Sequence, residues 1–328
     1  MSAPQWLERH QIPIYLGGLA AGAVVGLALP ASAPIWERAI YPVLGTLLYA
    51  TFLRVPFTRL TRAFRDGRFL AAALLLNFAV VPLIVAALTA VVALPRAVLL
   101  GVLLVLLTPC IDYVIVFTGL AGGDSHRLLT ASPLLMLAQM VALPPLLWLF
   151  LGPELADIVA VGPFLEAFGI LIVAPLGLAW ATEALAARHR TGELLSSAVG
   201  AAMVPLMAAT LLVVVASQIP AISHRLGRVM AVVPLYVAFL VIMVGVGYRV
   251  ARGFRLDPGR SRALIFSGAT RNSLVVLPLA LALPAGYAIT PVVVVTQTLV
   301  ELLGMVGYVH TLPRLVRSRP QPQGPADA

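Results

Sequence analysis

Ten apolar runs, each closed by arginine or by a proline and glycine cluster, fill most of this chain. A bilayer core about 30 Å thick is crossed by about 20 apolar residues of helix. A helix also satisfies its backbone polar groups internally, which lipid requires. The runs predict spans at residues 12–29, 39–53, 69–93, 97–121, 128–151, 162–181, 194–216, 229–248, 262–283 and 289–312. Composition agrees: 61% of the 328 residues are hydrophobic and 11% are charged, whereas soluble domains keep about 25% charged residues. Soluble enzymes, nucleic-acid readers and disordered scaffolds are therefore excluded. The net charge of +9 comes from 22 arginines against 13 acids, and all the arginines but Arg271 are spread over the connections rather than gathered in a basic patch, so no nucleic-acid partner is expected.

The first run, with Arg9 before it and Ala31-Ser32-Ala33 after it, imitates a cleaved signal peptide. Its length exceeds the usual apolar region of about 7 to 15 residues, and Gly18, Gly22 and Gly26 follow the four-residue spacing of closely packed membrane helices. It is read as a retained span. Arginine counts then set the orientation. Seventeen arginines fall on the side of the two termini and four, Arg38, Arg96, Arg225 and Arg228, on the other. Both termini are expected in the cytoplasm of a plasma (inner) membrane, with residues 318–328 a disordered tail.

Ten spans divide at the arginine-free connection of residues 152–161. Each half holds five helices, so the second half must insert upside down. The expected architecture is all-α, with inverted five-helix repeats at residues 1–155 and 156–317. In transporters so built, interrupted helices at matching positions mark the substrate site. The fourth run of each half is interrupted, by Thr108-Pro109-Cys110 in one and by Ser267-Gly268-Ala269-Thr270-Arg271-Asn272-Ser273 in the other. Pro109 and Gly268 are the expected helix breakers. As an isolated feature, Pro109 would be no more than a kink.

Ionisable groups at membrane depth cost about 2.5 to 3.5 kcal/mol each on insertion scales, so each needs a partner or a task. Asp112, Arg271 and Glu301 stand out. If the two interruptions cross, Asp112 and Arg271 are expected to form an ion pair. That pair either locks the crossing or yields Arg271 to an anionic substrate. Glu301 has Gln297 one turn before it on the same face. It is read as a proton carrier, or as a neutral acid hydrogen-bonded to a neighbouring helix. Cys110 is either a small hydrophobe or a soft ligand for a thiophilic centre. Asn77, Gln139 and Gln218 are read as interhelical hydrogen-bond residues. No Walker loop, nucleotide fingerprint or HExxH motif is present, and the five histidines lie in connections or at span ends. Neither an enzyme nor a cofactor is expected.

Thr108-Pro109-Cys110-Ile111 with the later Gly123-Asp124, Phe266-Ser267-Gly268-Ala269-Thr270, and Leu299-Val300-Glu301 resemble segments of the arsenite efflux permeases, within the bile acid/sodium symporter superfamily. The resemblance covers nearly the whole membrane region. It implies a core containing the crossed helices 4 and 9, a panel of helices 1, 2, 6 and 7, and alternating access between the two. It also implies that Cys110 and Glu301 take the places of the permeases' essential cysteine and glutamate. Asp112, Arg271 and Leu274 depart from the family pattern, which marks a divergent branch.

The expected function is export of arsenite or antimonite by proton exchange, giving arsenic resistance. Cys110, Thr108, Asp112, Arg271 and Asn272 are the candidate substrate residues, and Glu301 and Gln297 the ion-coupling residues. The alternative is a sodium-coupled symporter of a bile-acid-like or keto-acid anion, with Arg271 on its carboxylate and oxygens from Thr108, Thr270 and Asn272 on sodium. A passive channel or a sensor is the third reading.

Overall fold

The computed structural model describes residues 6–7, 10–54, 66–110, 113–153, 169–186, 190–224 and 226–316. Asp112, the tail at 318–328 and most of the connection between the expected halves lie outside the described residues, so the expected Asp112–Arg271 ion pair does too. Within them the chain is helical, with no strand longer than one isolated bridge.

In chain order the helices are α1 (Gln11–Ala28), α2 (Ala33–Arg54), α3 (Gly67–Leu75), α4 (Val81–Val91), α5 (Arg96–Leu106), α6 (Tyr113–Leu120), α7 (Ser125–Leu151), α8 (Ala174–Ala186), α9 (Arg190–His224), α10 (Leu226–Gly253), α11 (Pro258–Ala269), α12 (Ser273–Leu281) and α13 (Thr290–Leu315). A π turn, Leu76–Val80, joins α3 to α4 without ending the helix. Among the described residues, six helical stretches are long and apolar enough to cross a bilayer: Gln11–Ala28, Gly67–Val91, Ser125–Leu151, Ala198–Pro220, Met230–Gly253 and Thr290–Leu315. Their outer faces carry bare apolar side chains such as Val24, Leu83, Val141, Leu149 and Leu303. Water would reject so much exposed apolar surface, and lipid accepts it.

Helix α1 lies on α9 through its glycines. A Cβ added at Gly18, Gly22 or Gly26 would stand 2.7, 2.6 or 2.9 Å from the carbonyl oxygens of Ala208, Leu212 and Ala216, respectively. The backbones can meet this closely only because no side chain intervenes. Helices α1, α2, α8 and α9 pack chiefly on one another, while α10 to α13 pack with α3 to α7.

Three aspartates start helices of the second group by accepting backbone N–H groups, which cap the orphan donors of a helix start. Asp66 accepts from Phe69 at 3.3 Å, Asp124 from Arg127 at 3.0 Å and Asp257 from Arg260 at 3.0 Å. The three helix starts are tied together, because Asp66 Oδ2 also meets Arg127 Nη1 at 2.5 Å and Arg260 Nη1 at 3.3 Å. Close by, buried Arg262 donates from Nη1 to the carbonyls of Ala121 and Gly122 and from Nε and Nη2 to that of Val316. One side chain on α11 thus closes the C-terminal ends of α6 and α13.

Candidate functional site

Two helices of the second group stop and restart, and they do so against each other. Helix α5 ends at Leu106 and α6 begins at Tyr113; α11 ends at Ala269 and α12 begins at Ser273. The exposed backbone of each gap finds its partner in the other. Cys110 donates its N–H to the Thr270 carbonyl at 3.2 Å, Asn272 donates its N–H to the Thr108 carbonyl at 2.8 Å, and Pro109 faces Arg271 across this antiparallel bridge. Non-helical backbone at membrane depth survives only when its polar groups are paired or line a cavity, and the bridge supplies the pairing. Proline fits at position 109 because the bridge asks nothing of its missing N–H.

The second interruption starts two residues after Gly268, which is still helical near the end of α11. Its role is steric. A Cβ there would stand 2.6 Å from Leu76 Cδ2 and 2.8 Å from Met243 Cε. The chain leaves the helix at Thr270, whose backbone is extended, and Asn272 caps α12 by accepting the Val275 N–H at 3.2 Å.

Glu301, on α13, is fully buried at this crossing. Its carboxylate accepts the Arg271 backbone N–H at 2.7 Å on Oε2 and the Tyr113 hydroxyl at 2.6 Å on Oε1. Gln297, one turn earlier on α13, donates its side-chain N–H to Oε2 as well. The same Tyr113 hydroxyl lies 3.4 Å from the Arg271 carbonyl. The carboxylate therefore joins three pieces of chain: the helix that carries it, the restart of α6 and the turn between α11 and α12.

The Arg271 side chain is also fully buried. Its Nη2 donates to Asn77 Oδ1 at 2.8 Å, the Ser267 carbonyl at 2.8 Å and the Gly268 carbonyl at 2.6 Å, and Nη1 donates to the Leu106 carbonyl at 3.2 Å. The Phe239 ring centroid lies 5.7 Å from Cζ, within cation–π range. Asn77 keeps its place by donating to the Ala73 carbonyl and the Ser267 hydroxyl, both at 3.0 Å.

Cys110 is buried, with 1% of its surface exposed. The Thr108 hydroxyl donates to the Leu104 carbonyl at 2.7 Å and the Thr270 hydroxyl to the Phe266 carbonyl at 2.8 Å, so both protons serve their own helices. Asn272 Nδ2, Gln297 Oε1 and Arg271 Nε are buried without a hydrogen-bond partner. Among the described residues, no group of three or more His, Cys, Asp or Glu side chains could hold a metal ion.

The structure brings together Thr108, Pro109, Cys110, Arg271, Asn272, Gln297 and Glu301. Tyr113 joins them although nothing in its sequence surroundings sets it apart from the other aromatic residues of apolar helices. Asn77 makes the interhelical hydrogen bonds expected of it, and one of them engages the buried guanidinium.

A family model for the sodium bile acid symporter family matches residues 41–225, more than half of the chain. The match includes the first interruption and stops before the second. No curated protein matches the chain. The apolar helices and this match agree on a multi-pass membrane transporter, and the chain belongs to the sodium bile acid symporter family.

Proposed function

We propose that this protein is a secondary active transporter that exports arsenite or antimonite in exchange for protons. Its ten spans form two inverted five-helix repeats, residues 1–155 and 156–317, with both termini on the cytoplasmic side of the plasma membrane. Crossed helix breaks fed by interrupted helices are the substrate-site geometry of such transporters. Cys110 is the ligand for the thiophilic centre. Asn272 Nδ2 and Gln297 Oε1, a donor and an acceptor without partners, suit a small substrate that carries hydroxyl groups.

The observation that carries the proton reading is the set of three donors on Glu301. A carboxylate has only acceptors to offer, about four lone-pair sites, and two of the three donors occupy both sites of Oε2. A proton on Oε2 would put an O–H against the Arg271 N–H and the Gln297 amide, so at least one of these contacts must break. A proton bound at Oε2 thereby loosens the turn that is bridged to Cys110, which couples the proton to the substrate site.

The test is accumulation of radiolabelled arsenite in everted membrane vesicles energised by a proton gradient, for wild type, Cys110→Ser and Glu301→Gln. Gradient-dependent accumulation abolished by both substitutions is the expected result. The family's name favours a second reading, sodium-coupled uptake of an organic anion. Sodium-driven uptake of a bile acid that survives Cys110→Ser, with no arsenite accumulation, would establish it instead.

A further inference from the structure

Around Nη2 of the Arg271 guanidinium stand more oxygens than that nitrogen can satisfy. Nη2 carries two protons, and three acceptors lie 2.6 to 2.8 Å from it: Asn77 Oδ1 and the carbonyls of Ser267 and Gly268. A fourth oxygen, the Leu106 carbonyl, takes Nη1. A planar NH2 group cannot donate well to three oxygens at once. A spherical ion has no such limit, and hard cations take oxygen ligands.

The origin of these oxygens favours positive charge as well. Leu106 is the last residue of α5, and Ser267 and Gly268 lie in the last turn of α11. Carbonyls at a helix C-terminus lack intrahelical donors and carry the negative end of the helix dipole. The gaps in the two helices place both ends at one point, and Asn77 is brought there by the π turn of the α3–α4 helix. All four oxygens come from neutral groups.

We infer that Arg271 is a tethered cation filling a four-oxygen site, formed by Asn77 Oδ1 and the carbonyls of Leu106, Ser267 and Gly268, that would otherwise bind a dissolved monovalent cation such as sodium. The wild-type crossing carries its positive charge covalently and takes up no sodium there. Substitution of Arg271 by a small neutral residue opens the site. This inference concerns the ion that holds the crossing together and is independent of the substrate proposed above.

The experiment uses the full chain in detergent. Thermal unfolding is followed in sodium chloride and in N-methylglucamine chloride of equal ionic strength, and binding of radioactive sodium is measured by equilibrium dialysis. Wild type is expected to unfold at the same temperature in both salts and to bind no sodium at this site. Arg271→Ala is expected to be destabilised in N-methylglucamine, to regain stability as sodium is added, and to bind one sodium per chain. Asn77→Ala in that background is expected to abolish the sodium effect. A sodium-specific stabilisation of wild type that Asn77→Ala removes would overturn the inference, as would an Arg271→Ala protein indifferent to sodium. If Arg271→Ala yields no folded protein in either salt, Arg271→Lys and Arg271→Gln decide. The lysine variant, still cationic, should be recovered without sodium and the glutamine variant should not. Equal recovery or equal loss of the two overturns the inference. No substrate enters any of these measurements, so their outcome is separate from that of the transport assay.

Discussion

Glu301 and Arg271 meet through the arginine's backbone: the carboxylate accepts the Arg271 N–H at 2.7 Å, while the guanidinium turns to four oxygens supplied by Asn77, Leu106, Ser267 and Gly268. One residue therefore links two separate polar clusters. Its main chain belongs to the carboxylate and its side chain to the helix ends.

Tyr113→Phe is expected to impair transport while leaving the protein folded. It removes the hydroxyl on Glu301 Oε1 and keeps the ring that packs edge-on against Phe117. A hydrogen bond to a charged group contributes about 1.5 to 3 kcal/mol, so the initial rate should fall by roughly tenfold or more. Rates in vesicles with matched protein content check this; a wild-type rate would remove Tyr113 from the coupling machinery.

Gly268→Ala is expected to destabilise the crossing by about 1 to 3 kcal/mol, the usual range for overpacking. The added methyl would collide with the ends of Leu76 and Met243. Because Leu76 is itself fully buried, Gly268→Ala/Leu76→Ala should cost less than the sum of the two single changes, the shortened neighbour making room for the added methyl. Unfolding of the two single variants and the double variant in detergent tests it, and strictly additive losses would contradict the steric explanation.

Gly22→Ala and Gly17→Ala should differ sharply. At Gly22 the new Cβ would stand 2.6 Å from a backbone oxygen of α9, which cannot swing aside, whereas at Gly17 nothing lies within 4 Å. Alanine at 17 should be neutral or stabilise by up to about 1 kcal/mol through helix propensity, while alanine at 22 forces α1 off α9. Unfolding midpoints of the two variants, or disulfide trapping between cysteines placed along the seam, distinguish the cases.

Arg262→Ala is expected to cost about 2 kcal/mol or more, because it strips donors from the buried ends of two helices at once. Arg262→Lys should recover only part of this, since an ammonium is a single point and cannot span the carbonyls of Ala121 and Val316. Proteolysis of the α6–α7 junction in the three proteins reads the effect directly.

The interruptions were legible for unequal reasons. Pro109 announces the first, because proline removes a donor inside an apolar run. The second is visible as a polar stretch, but Gly268 is not the breaker it resembles: the helix runs on through Ala269 and ends at the extended Thr270, and Asn272 then caps the start of the next helix. Glu301 stands out in sequence as a carboxylate in an apolar helix, while its partner Tyr113 does not, being 188 positions away. The partners of Arg271 were the least legible. Sequence inspection pairs a buried cation with a carboxylate, and here three of the four observed acceptors are main-chain carbonyls, which every residue possesses and no sequence pattern advertises.

The π turn at Leu76–Val80 inserts one surplus residue into an otherwise regular helix. Before it, α3 packs on α7 and α11; after it, α4 packs on α5 and α10. The surplus residue sets the angular phase between these two sets of contacts. Deleting it would not trim the helix locally. With 3.6 residues per turn, it would rotate one half against the other by about 100°, so that either Asn77 and the neighbours of α3 or the whole face of α4 lost its partners. Length in this segment is consequently as tightly specified as side-chain identity, and a single-codon deletion here should be less tolerable than most substitutions.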